Sequence, residues 1–408
     1  MDDVSMRRAV ERKRDGEALE SALWESIIAA YSSGDVDDAQ MAALAMACVW
    51  RGLDTTEAAA LTRAMVGSGA TLRYPDGMFV VDKHSSGGVS DIVSLVAVPL
   101  VAACGVYVAK LSGRALGHTG GTIDKLEAIA GFNATLPMDA FVRQVERIGC
   151  AIAAQSDAFV PADKRLYHLR DRTATVPSIG LIASSIVSKK IAGGANAFVF
   201  DVKCGSAAFM REVEQAEALA RMLVGISQQF GRKARAIVSD MNEPLGRFIG
   251  TGLEVIEARE MLRGGTGDAR ARAGCLRIAV AMLELGGIED ASLRAERALA
   301  DGSAYEKFVE MIDAQGGTRA ALEGLVHDPR VETIRAGADG IVDAIDAVAL
   351  GNVARTLTDV NSRAGIRLRA RIGDAVASGD VLAEIYGDGV NAEVIAGAFA
   401  LRSTSLIR

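Results

Sequence analysis

Two glycine-rich loops, each preceded by an apolar segment and followed by a helical pattern, constrain the fold of this chain more than any other feature. The first apolar segment leads into Asp82-Lys83-His84-Ser85-Ser86-Gly87-Gly88, and the second leads into Ser112-Gly113-Arg114 and on to Gly120-Gly121-Thr122. Strands that pass through small residues into helices are typical of parallel α/β sheets, whose ligands bind at the carboxyl ends of the strands. The pattern predicts an α/β domain with a ligand site at these loops.

Both loops have the composition of an anion site. Backbone N–H groups at a helix N-terminus bind phosphate well where glycine lets the ligand approach. The loops add ammonium and hydroxyl donors, namely Lys83, Ser85, Ser94, Ser112 and Thr122. An ordinary turn is the alternative for either loop alone, but two such loops roughly 30 residues apart favour a phosphate site. No Gly-x-x-x-x-Gly-Lys-Ser/Thr or Gly-x-Gly-x-x-Gly sequence occurs, so the nucleotide fingerprints give no support to NTPase or Rossmann functions.

Composition narrows the class of partner. The chain has 408 residues with a net charge of −7 and 5% aromatic residues, which predicts two or three domains and argues against nucleic acid or an anionic membrane as a partner. Its five cysteines include no Cys-x-x-Cys pair, so we expect neither a disulfide framework nor a zinc site, and a reducing cytosol fits best. The N-terminus lacks the pattern of a signal peptide, and the longest apolar stretch, residues 92–104, contains Pro99 and is too short to span a bilayer. We therefore expect a cytoplasmic protein.

Periodicity divides the chain further. Residues 5–66 have helical spacing, with helices predicted at 18–32, 37–52 and 55–68 and with Asp37 and Thr55 as caps. Buried strands are predicted at 79–81, 106–110, 150–154, 197–200 and 234–239, separated by helical patterns. Residues 161–193 interrupt this alternation with helical residues. Residues 208–325 are mostly helical, and short strands and turns follow residue 332, with 372–382 resembling a lipoyl-like β-hammerhead.

The loop motifs resemble the signature of the thymidine and pyrimidine-nucleoside phosphorylases, the class II nucleoside phosphorylases. The resemblance is carried by residues 83–88 and 112–127, and it continues through 169–175 and 201–206. It implies a small all-helical domain of residues 1–68, completed by 161–193, and a large mixed α/β domain with a mostly parallel central sheet, residues 78–155 with 196–330. Residues 331–408 would form a C-terminal β-hammerhead-like α+β region. The family also implies a cleft between the helical and α/β domains that closes during catalysis.

Candidate catalytic residues follow from the residue types and from the resemblance. His84, beside Lys83, is a natural proton donor in a phosphate-lined site, and a loop histidine that caps backbone groups is the alternative. Ser185 and Lys189 are four residues apart and therefore share one face of a helix. That face either binds a planar polar ring through its hydroxyl and ammonium groups or is an ordinary solvated surface. The resemblance favours the first reading and implies that the pyrimidine is bound by Arg170, Ser185 and Lys189, with Tyr167 beside them. It gives His118 a structural role.

Phosphorolysis of an N-glycosidic bond explains why both sets of residues are needed. Phosphate attacks C1′ while the base leaves as a developing anion, so the nucleophile needs a donor-lined site and the base needs cations and a proton source. The resemblance implies conversion of uridine and of thymidine or deoxyuridine to free base and (deoxy)ribose 1-phosphate, by a homodimer without a metal or other cofactor. Amphipathic N-terminal helices in a small domain independently favour a dimer.

Lys110 stands where strict thymidine phosphorylases tend to carry methionine, so we expect it to lie near the ribose. The alternative is that Lys110 only pairs with a nearby acid.

This chain also departs from the family pattern. Ser90 and Ala115 occupy positions that are usually glycine, Ser86 replaces a common threonine, and Cys204 and Ala207 replace a usual valine and glycine. The segment 350–355 stands where the family tends to carry a glycine-rich loop that ends in arginine. The five replacements are small and should preserve the loops, whereas the departure at 350–355 bears on domain closure and C-terminal contacts and not on the central chemistry.

Several other functions stay open at the sequence level. A strict thymidine phosphorylase is the narrower alternative. An anthranilate-type phosphoribosyltransferase shares a related architecture but needs magnesium, and Asp82, Asp91 and Asp124 form no obvious paired site. A nucleoside- or base-binding paralogue without activity would not need both sets of residues. Nucleoside-monophosphate phosphorylases carry an added N-terminal domain before the helical one.

Overall fold

The computed structural model describes residues 3–115, 117, 120–156, 158–264, 267–390 and 392–403. Its first half contains, in chain order, α1 (Asp3–Asp15), α2 (Ser21–Ser33), α3 (Asp38–Arg51), α4 (Thr55–Gly67), β1 (Val80–Ser85), α5 (Val93–Ala103), β2 (Tyr107–Ser112), α6 (Thr122–Leu126), α7 (Met138–Ile148), β3 (Cys150–Ala154), α8 (Pro161–Arg172), α9 (Ile179–Ala192) and β4 (Ala197–Cys204).

The second half is helical at first and then forms short strands. Its elements are α10 (Val213–Gln229), β5 (Lys233–Asp240), β6 (Phe248–Ile249), α11 (Thr251–Gly264), α12 (Ala269–Leu285), α13 (Ala291–Ala300), α14 (Ser303–Ala314), α15 (Arg319–Gly324), β7 (Val331–Arg335), β8 (Gly340–Ile345), α16 (Ala347–Val360), β9 (Gly365–Leu368), β10 (Ala375–Val376), β11 (Val381–Tyr386), α17 (Ala392–Gly397) and β12 (Phe399–Arg402). The chain folds as two units, the first made of residues 1–84, 155–200 and 214–237, and the second of 85–154, 201–213 and 238–408.

Helices α1–α4 of the first unit form as their apolar spacing predicts. Asp37 caps α3 through a capping box with Gln40, because each side chain accepts a hydrogen bond from the other residue's backbone N–H. The predicted cap at Thr55 is wrong. Asp54 is the N-cap of α4 and forms the same box with Glu57, since a carboxylate one residue earlier can reach the N–H three positions on.

Helices α8 and α9 of the first unit pack against the N-terminal helices. Helix α9 contacts α4, and α8 contacts α2, α3 and α4. Ser184 of α9 donates a hydrogen bond to the carbonyl of Ala58 at 2.9 Å, and both residues are fully buried. The apolar faces of α2–α4 are therefore covered in part by residues more than a hundred positions later in the chain.

One buried ion pair stands out among the N-terminal helices. The ammonium of Lys13 lies 2.8 and 2.7 Å from the two carboxylate oxygens of Glu57, and the two side chains are only 3% and 5% exposed. The backbone N–H of Leu19 also donates to Glu57, at 2.8 Å. Separating the two side chains would leave each charge buried without a counter-ion, and this cost keeps the pair together.

The predicted strands form a five-stranded sheet in the order β3-β2-β1-β4-β5. All five strands predicted between residues 79 and 239 are present, and the pairing of β2 with β3 is parallel. The apolar runs are continuous because the central strands are buried: every residue of β4 is buried. The predicted α/β class with a parallel central sheet is confirmed.

A buried glutamine organises the helices of the second unit around β3. Gln315, 1% exposed, accepts hydrogen bonds from the side chain of Gln144 and the N–H of Ile152. Its amide nitrogen donates to the carbonyls of Asn133 and Ile152. A buried amide is stable only when its donors and acceptors are paired, and this one satisfies that condition.

The C-terminal region contains two small antiparallel sheets, β10-β8-β12 and β6-β9-β11-β7. Short strands and turns were predicted here, but residues 347–360 form the four-turn helix α16 instead, capped by Asp346. The segment 350–355 therefore lies inside a helix. Arg355 on this helix donates to the carbonyl of Gly117 at 2.7 Å, so a C-terminal arginine does reach the second loop. No helix among the described residues is both long and apolar enough to cross a membrane.

Candidate active site

Asp91 connects the first glycine loop to the elements around it in the second unit. Ser85, at the end of β1, donates its hydroxyl proton to Asp91 Oδ2 at 2.6 Å. The other carboxylate oxygen accepts from the N–H of Val93 at the start of α5, at 3.1 Å. Lys125 of α6 donates to the Asp91 carbonyl at 2.8 Å. Residues from both predicted phosphate loops thus meet at one aspartate.

Three further candidate phosphate ligands have unused donors. Ser94 is the second residue of α5, Ser112 ends β2 and Thr122 begins α6. Within the described part of the chain, none of these three hydroxyls has a protein hydrogen-bond partner. Gly121, directly before Thr122, has no room for a side chain, because a Cβ atom would lie 2.4 Å from the nitrogen of Ala115. The backbone at Gly121 therefore lies directly against that of Ala115.

Ser90 explains why the family favours glycine at its position. Its φ angle is +56°, a left-handed conformation that costs most residues about 1 kcal/mol. The serine hydroxyl donates to the carbonyl of Phe248 at 2.6 Å and accepts from the N–H of Gly246 at 3.1 Å. These two hydrogen bonds offset the strain and preserve the loop.

A buried cation lies behind the first loop. Lys203 of β4 forms a 2.6 Å ion pair with Asp201, and its ammonium lies 3.9 Å from Asp91. Burial lowers the pKa of Lys203, but the charges of Asp201 and Asp91 outweigh it and the net pKa is raised. The backbone N–H of Lys203 donates to the Ser86 hydroxyl at 2.8 Å. The loop is thereby held by a residue that stays charged.

The end of β1 carries Lys83 and His84 in the first unit. Lys83 is fully buried and His84 half-buried. The preceding carboxylate, Asp82, accepts hydrogen bonds from the N–H of Lys83 at 2.7 Å and from the ammonium of Lys190 at 2.6 Å. The strand end that carries two candidate ligands is thus fixed to α9.

Lys110 lies on β2 in the second unit. It is 3% exposed, and its ammonium donates to the carbonyl of Leu111 at 3.2 Å. Its place two residues before Ser112 keeps it next to a candidate phosphate ligand.

The candidate base-binding residues of α9 lie together in the first unit, as their spacing predicts. The Lys189 ammonium contacts the Ser185 hydroxyl at 2.7 Å and the Ser185 carbonyl at 3.1 Å. It also forms an ion pair with Asp163 of α8, whose side chain is 2% exposed while that of Lys189 is 25% exposed. The arrangement presents a hydroxyl and a partly accessible cation on one surface.

Arg170 is more deeply embedded than the sequence suggested. Its guanidinium donates to the carbonyls of Thr175 at 3.2 Å, Val176 at 2.7 Å and Leu181 at 3.1 Å, and the residue is 1% exposed. Burial lowers its pKa, which Asp163 partly counteracts. Its guanidinium also lies 6.0 Å from the ring of Tyr167. Three of its five N–H donors bind the turn between α8 and α9 and the first turn of α9, so in this structure Arg170 holds these two helices together.

Sequence reasoning missed Asp163 and considered Asp82 and Asp91 only as possible magnesium ligands. In the structure each of these three residues contacts a candidate ligand, and no pattern in a single sequence marks them as partners of those ligands. The signal was indirect: a lysine that is to be buried predicts a carboxylate nearby. His118 lies outside the described residues. Among those described, no group of three or more histidine, cysteine, aspartate or glutamate side chains could hold a metal ion.

Comparison with known proteins assigns this chain to a family. Residues 77–305 match the profile described as "Glycosyl transferase family, a/b domain", and residues 7–69 match the helical bundle domain of the same family. A pyrimidine-nucleoside phosphorylase from Geobacillus stearothermophilus is 46% identical, over 93% of this chain and 91% of the relative. A thymidine phosphorylase from Mycobacterium tuberculosis is 44% identical, over 97% and 94%.

A solved structure shares the fold at lower sequence identity. Anthranilate phosphoribosyltransferase from Thermus thermophilus superposes with a TM-score of 0.62 at 22% identity, covering 75% of this chain and 99% of that one. This likeness concerns the fold alone, whereas the 44–46% identity extends over nearly the whole chain. The chain therefore belongs to the thymidine and pyrimidine-nucleoside phosphorylase family.

Proposed function

We propose that this protein catalyses the reversible phosphorolysis of pyrimidine nucleosides, namely uridine and thymidine or deoxyuridine, to free base and (deoxy)ribose 1-phosphate. The observation that carries the proposal is that this family member retains donor groups for both reactants: hydroxyls with unused donors at the glycine loops, and the Ser185–Lys189 surface. Relatives named pyrimidine-nucleoside phosphorylase and thymidine phosphorylase support the same reaction.

Phosphate is bound, in this proposal, by Lys83, Ser85, Ser94, Ser112 and Thr122. A phosphate oxygen attacks C1′ as the C1′–N1 bond breaks, and the bonding electrons pass to the base. Fixed donors favour the reaction because they need no reorganisation when the charge distribution changes. The Ser85 hydroxyl already donates to Asp91, so its oxygen can accept a hydrogen bond from a protonated phosphate.

The leaving base is stabilised by the first unit's residues. The Lys189 ammonium lowers the energy of the developing pyrimidine anion, the Ser185 hydroxyl orients the ring, and His84 supplies the proton. Arg170 has two N–H donors beyond those given to carbonyls, which suits it to a base oxygen. Tyr167, whose pKa is raised by burial, stays neutral and lines the ring. Inorganic phosphate is the co-substrate, and this chemistry requires no metal.

A phosphate-dependent assay tests the proposal. Purified protein is incubated with uridine, thymidine, deoxyuridine or cytidine, with and without phosphate and with excess EDTA, and free base is measured. We expect base release that requires phosphate and survives EDTA. No release from any nucleoside would favour a binding protein without activity. Loss of release in EDTA would favour metal-dependent chemistry of the phosphoribosyltransferase kind.

Lys110 is proposed to decide sugar specificity. An ammonium can donate to a ribose 2′-hydroxyl or hold water for it, whereas an apolar side chain leaves that hydroxyl without a partner, at about 1–3 kcal/mol. We expect the wild-type protein to cleave both uridine and thymidine, and Lys110→Met to reduce kcat/KM for uridine at least about fivefold more than for thymidine. Parallel progress curves for the two nucleosides measure this ratio.

A matched change separates this effect from a general loss of activity. Lys307, a partly buried lysine that donates to the carbonyl of Ile148, also lies in the second unit, and Lys307→Met should leave the uridine-to-thymidine ratio unchanged. If the wild type cleaves thymidine but not uridine, the role assigned to Lys110 is wrong, and the strict thymidine phosphorylase takes its place.

We also propose a homodimer formed through the N-terminal helices. Trp50 on α3 is 81% exposed and Met46, one turn earlier, is 38% exposed. Large side chains of this kind are enriched at the centres of interfaces. At micromolar concentration we expect light scattering to report a dimer and Trp50→Glu to shift it toward monomer. Val360→Glu is the control, since Val360 is 88% exposed and far along the chain on α16. A monomeric wild type would refute the assembly.

A cytoplasmic location completes the proposal. All five cysteines are free in the structure, four of them buried, which suits a reducing compartment.

A further inference from the structure

We propose that the buried ion pair between Asp82 and Lys190 is a positioning pair, which holds the strand end bearing Lys83 and His84 in a fixed relation to the helix bearing Lys189. The inference rests on the proposed function, because it assigns a task to the residues next to the proposed ligands. All five residues lie in the first unit.

The carboxylate of Asp82 has two partners that belong to two different elements. Its Oδ1 accepts the backbone N–H of Lys83, at 2.7 Å, and its Oδ2 accepts the ammonium of Lys190, at 2.6 Å. The side chains of Asp82 and Lys190 are 3% and 1% exposed. One rigid, solvent-free group therefore joins the peptide of Lys83 on β1 to the last turn of α9.

Consecutive lysines on α9 point in different directions. Successive residues of a helix are about 100° apart, so Lys190 reaches inward to Asp82 while Lys189 reaches Ser185 and Asp163. A displacement of Lys190 must rotate or shift the helix turn that carries Lys189. A displacement of Asp82 must move the peptide of Lys83. The pair thus fixes a candidate phosphate ligand and a candidate base ligand by the same contact.

Stability alone does not account for this pair. Burying two charges costs desolvation energy, and a buried pair is often replaced by apolar residues without loss of stability. Precise placement of reacting groups, in contrast, has large effects, because a displacement of about 1 Å can reduce turnover about 100-fold. A pair that positions ligands should therefore be more important for activity than for folding.

The double variant Asp82→Asn/Lys190→Met tests this separation. Asparagine keeps an acceptor for the N–H of Lys83, methionine matches the length of the lysine stem, and the two charges of the pair are removed together. We expect the variant to unfold near the wild-type denaturant concentration but to show kcat/KM reduced about tenfold or more, with the KM for phosphate and the KM for nucleoside both raised. A change at a single ligand would raise one of them.

The first unit supplies a matched control. Lys13 and Glu57 form another deeply buried lysine–carboxylate pair, and neither contacts a proposed ligand. Lys13→Met/Glu57→Gln should alter unfolding comparably while both KM values stay at the wild-type level. Should Asp82→Asn/Lys190→Met fail to fold, Lys190→Arg, which keeps the charge and changes its position, is expected to fold and to raise both KM values.

The outcomes are distinct. A wild-type protein that releases no base in phosphate contradicts the proposed function itself. A wild type that is active, together with a folded Asp82→Asn/Lys190→Met variant or Lys190→Arg variant whose kcat and two KM values are unchanged, overturns the positioning role. Equal kinetic losses in the Lys13→Met/Glu57→Gln control would overturn it as well, since any buried pair would then have the same effect.

Discussion

Replacing Lys189 by glutamine should lower kcat about 10²- to 10³-fold while the KM for phosphate stays near the wild-type value. Glutamine can still donate to the buried carboxylate of Asp163 and to the Ser185 carbonyl, two of the partners that Lys189 has in the structure, so both acceptors keep a hydrogen-bond donor. It lacks the positive charge that the leaving base needs. Initial rates over a grid of nucleoside and phosphate concentrations give both parameters.

Lys83→Ala is the counterpart of Lys189→Gln on the phosphate side of the reaction. This change should mainly raise the KM for phosphate, because Lys83 is proposed to bind the nucleophile and not the base. His168, an exposed residue of α8, provides a neutral control as His168→Gln. If Lys83→Ala and Lys189→Gln affected the two substrates equally, the division of labour between the two sets of residues would be refuted.

The second large effect is on stability. Lys13→Met should reduce the free energy of unfolding of the first unit by about 3–5 kcal/mol, because Glu57 would stay buried with an uncompensated charge. The chain has two tryptophans, Trp24 and Trp50, and both lie in the first unit. Tryptophan fluorescence during urea unfolding therefore reports this unit.

An exposed ion pair is the control for that experiment. Arg7 and Glu11 form an i,i+4 contact whose side chains are 80% and 40% exposed, and Arg7→Met should change the free energy by less than about 0.5 kcal/mol. If Lys13→Met had an effect as small as that of Arg7→Met, the buried pair would contribute nothing specific to the fold.

The regular parts of the fold could be predicted because local physics decides them. Apolar residues at helical spacing predicted α2, α3 and α4 within a few residues, and continuous apolar runs predicted the five strands of the sheet. The prediction failed where tertiary contacts decide. Residues 347–360 were predicted as strands and turns, but they form a helix capped by Asp346. The N-cap of α4 is Asp54 and not the predicted Thr55.

The candidate site was predictable by residue type but not by environment. Helical spacing placed Ser185 beside Lys189, as the structure has them, while the phosphate-binding roles that loop composition gave to Lys83, Ser112 and Thr122 stay predictions. The burial of Arg170 against three backbone carbonyls could not be read from a linear pattern, because those carbonyls belong to the turn after α8 and to the start of α9, whose positions depend on packing. The acidic partners were missed for the same reason.

The packed helices of the first unit come from distant parts of the chain, and this affects how the unit forms during synthesis. Helix α4 ends at Gly67, but its partner α9 ends only at Ala192. At roughly 5–20 residues per second, a ribosome needs roughly 6–25 s to make the intervening chain. During that time the apolar face of α4 stays exposed to solvent. In the folded protein this face is buried, and it includes Ala58 and Leu61. The nascent N-terminal helices are therefore a stage at which holding chaperones would bind, and a fragment that stops near residue 70 should aggregate instead of folding.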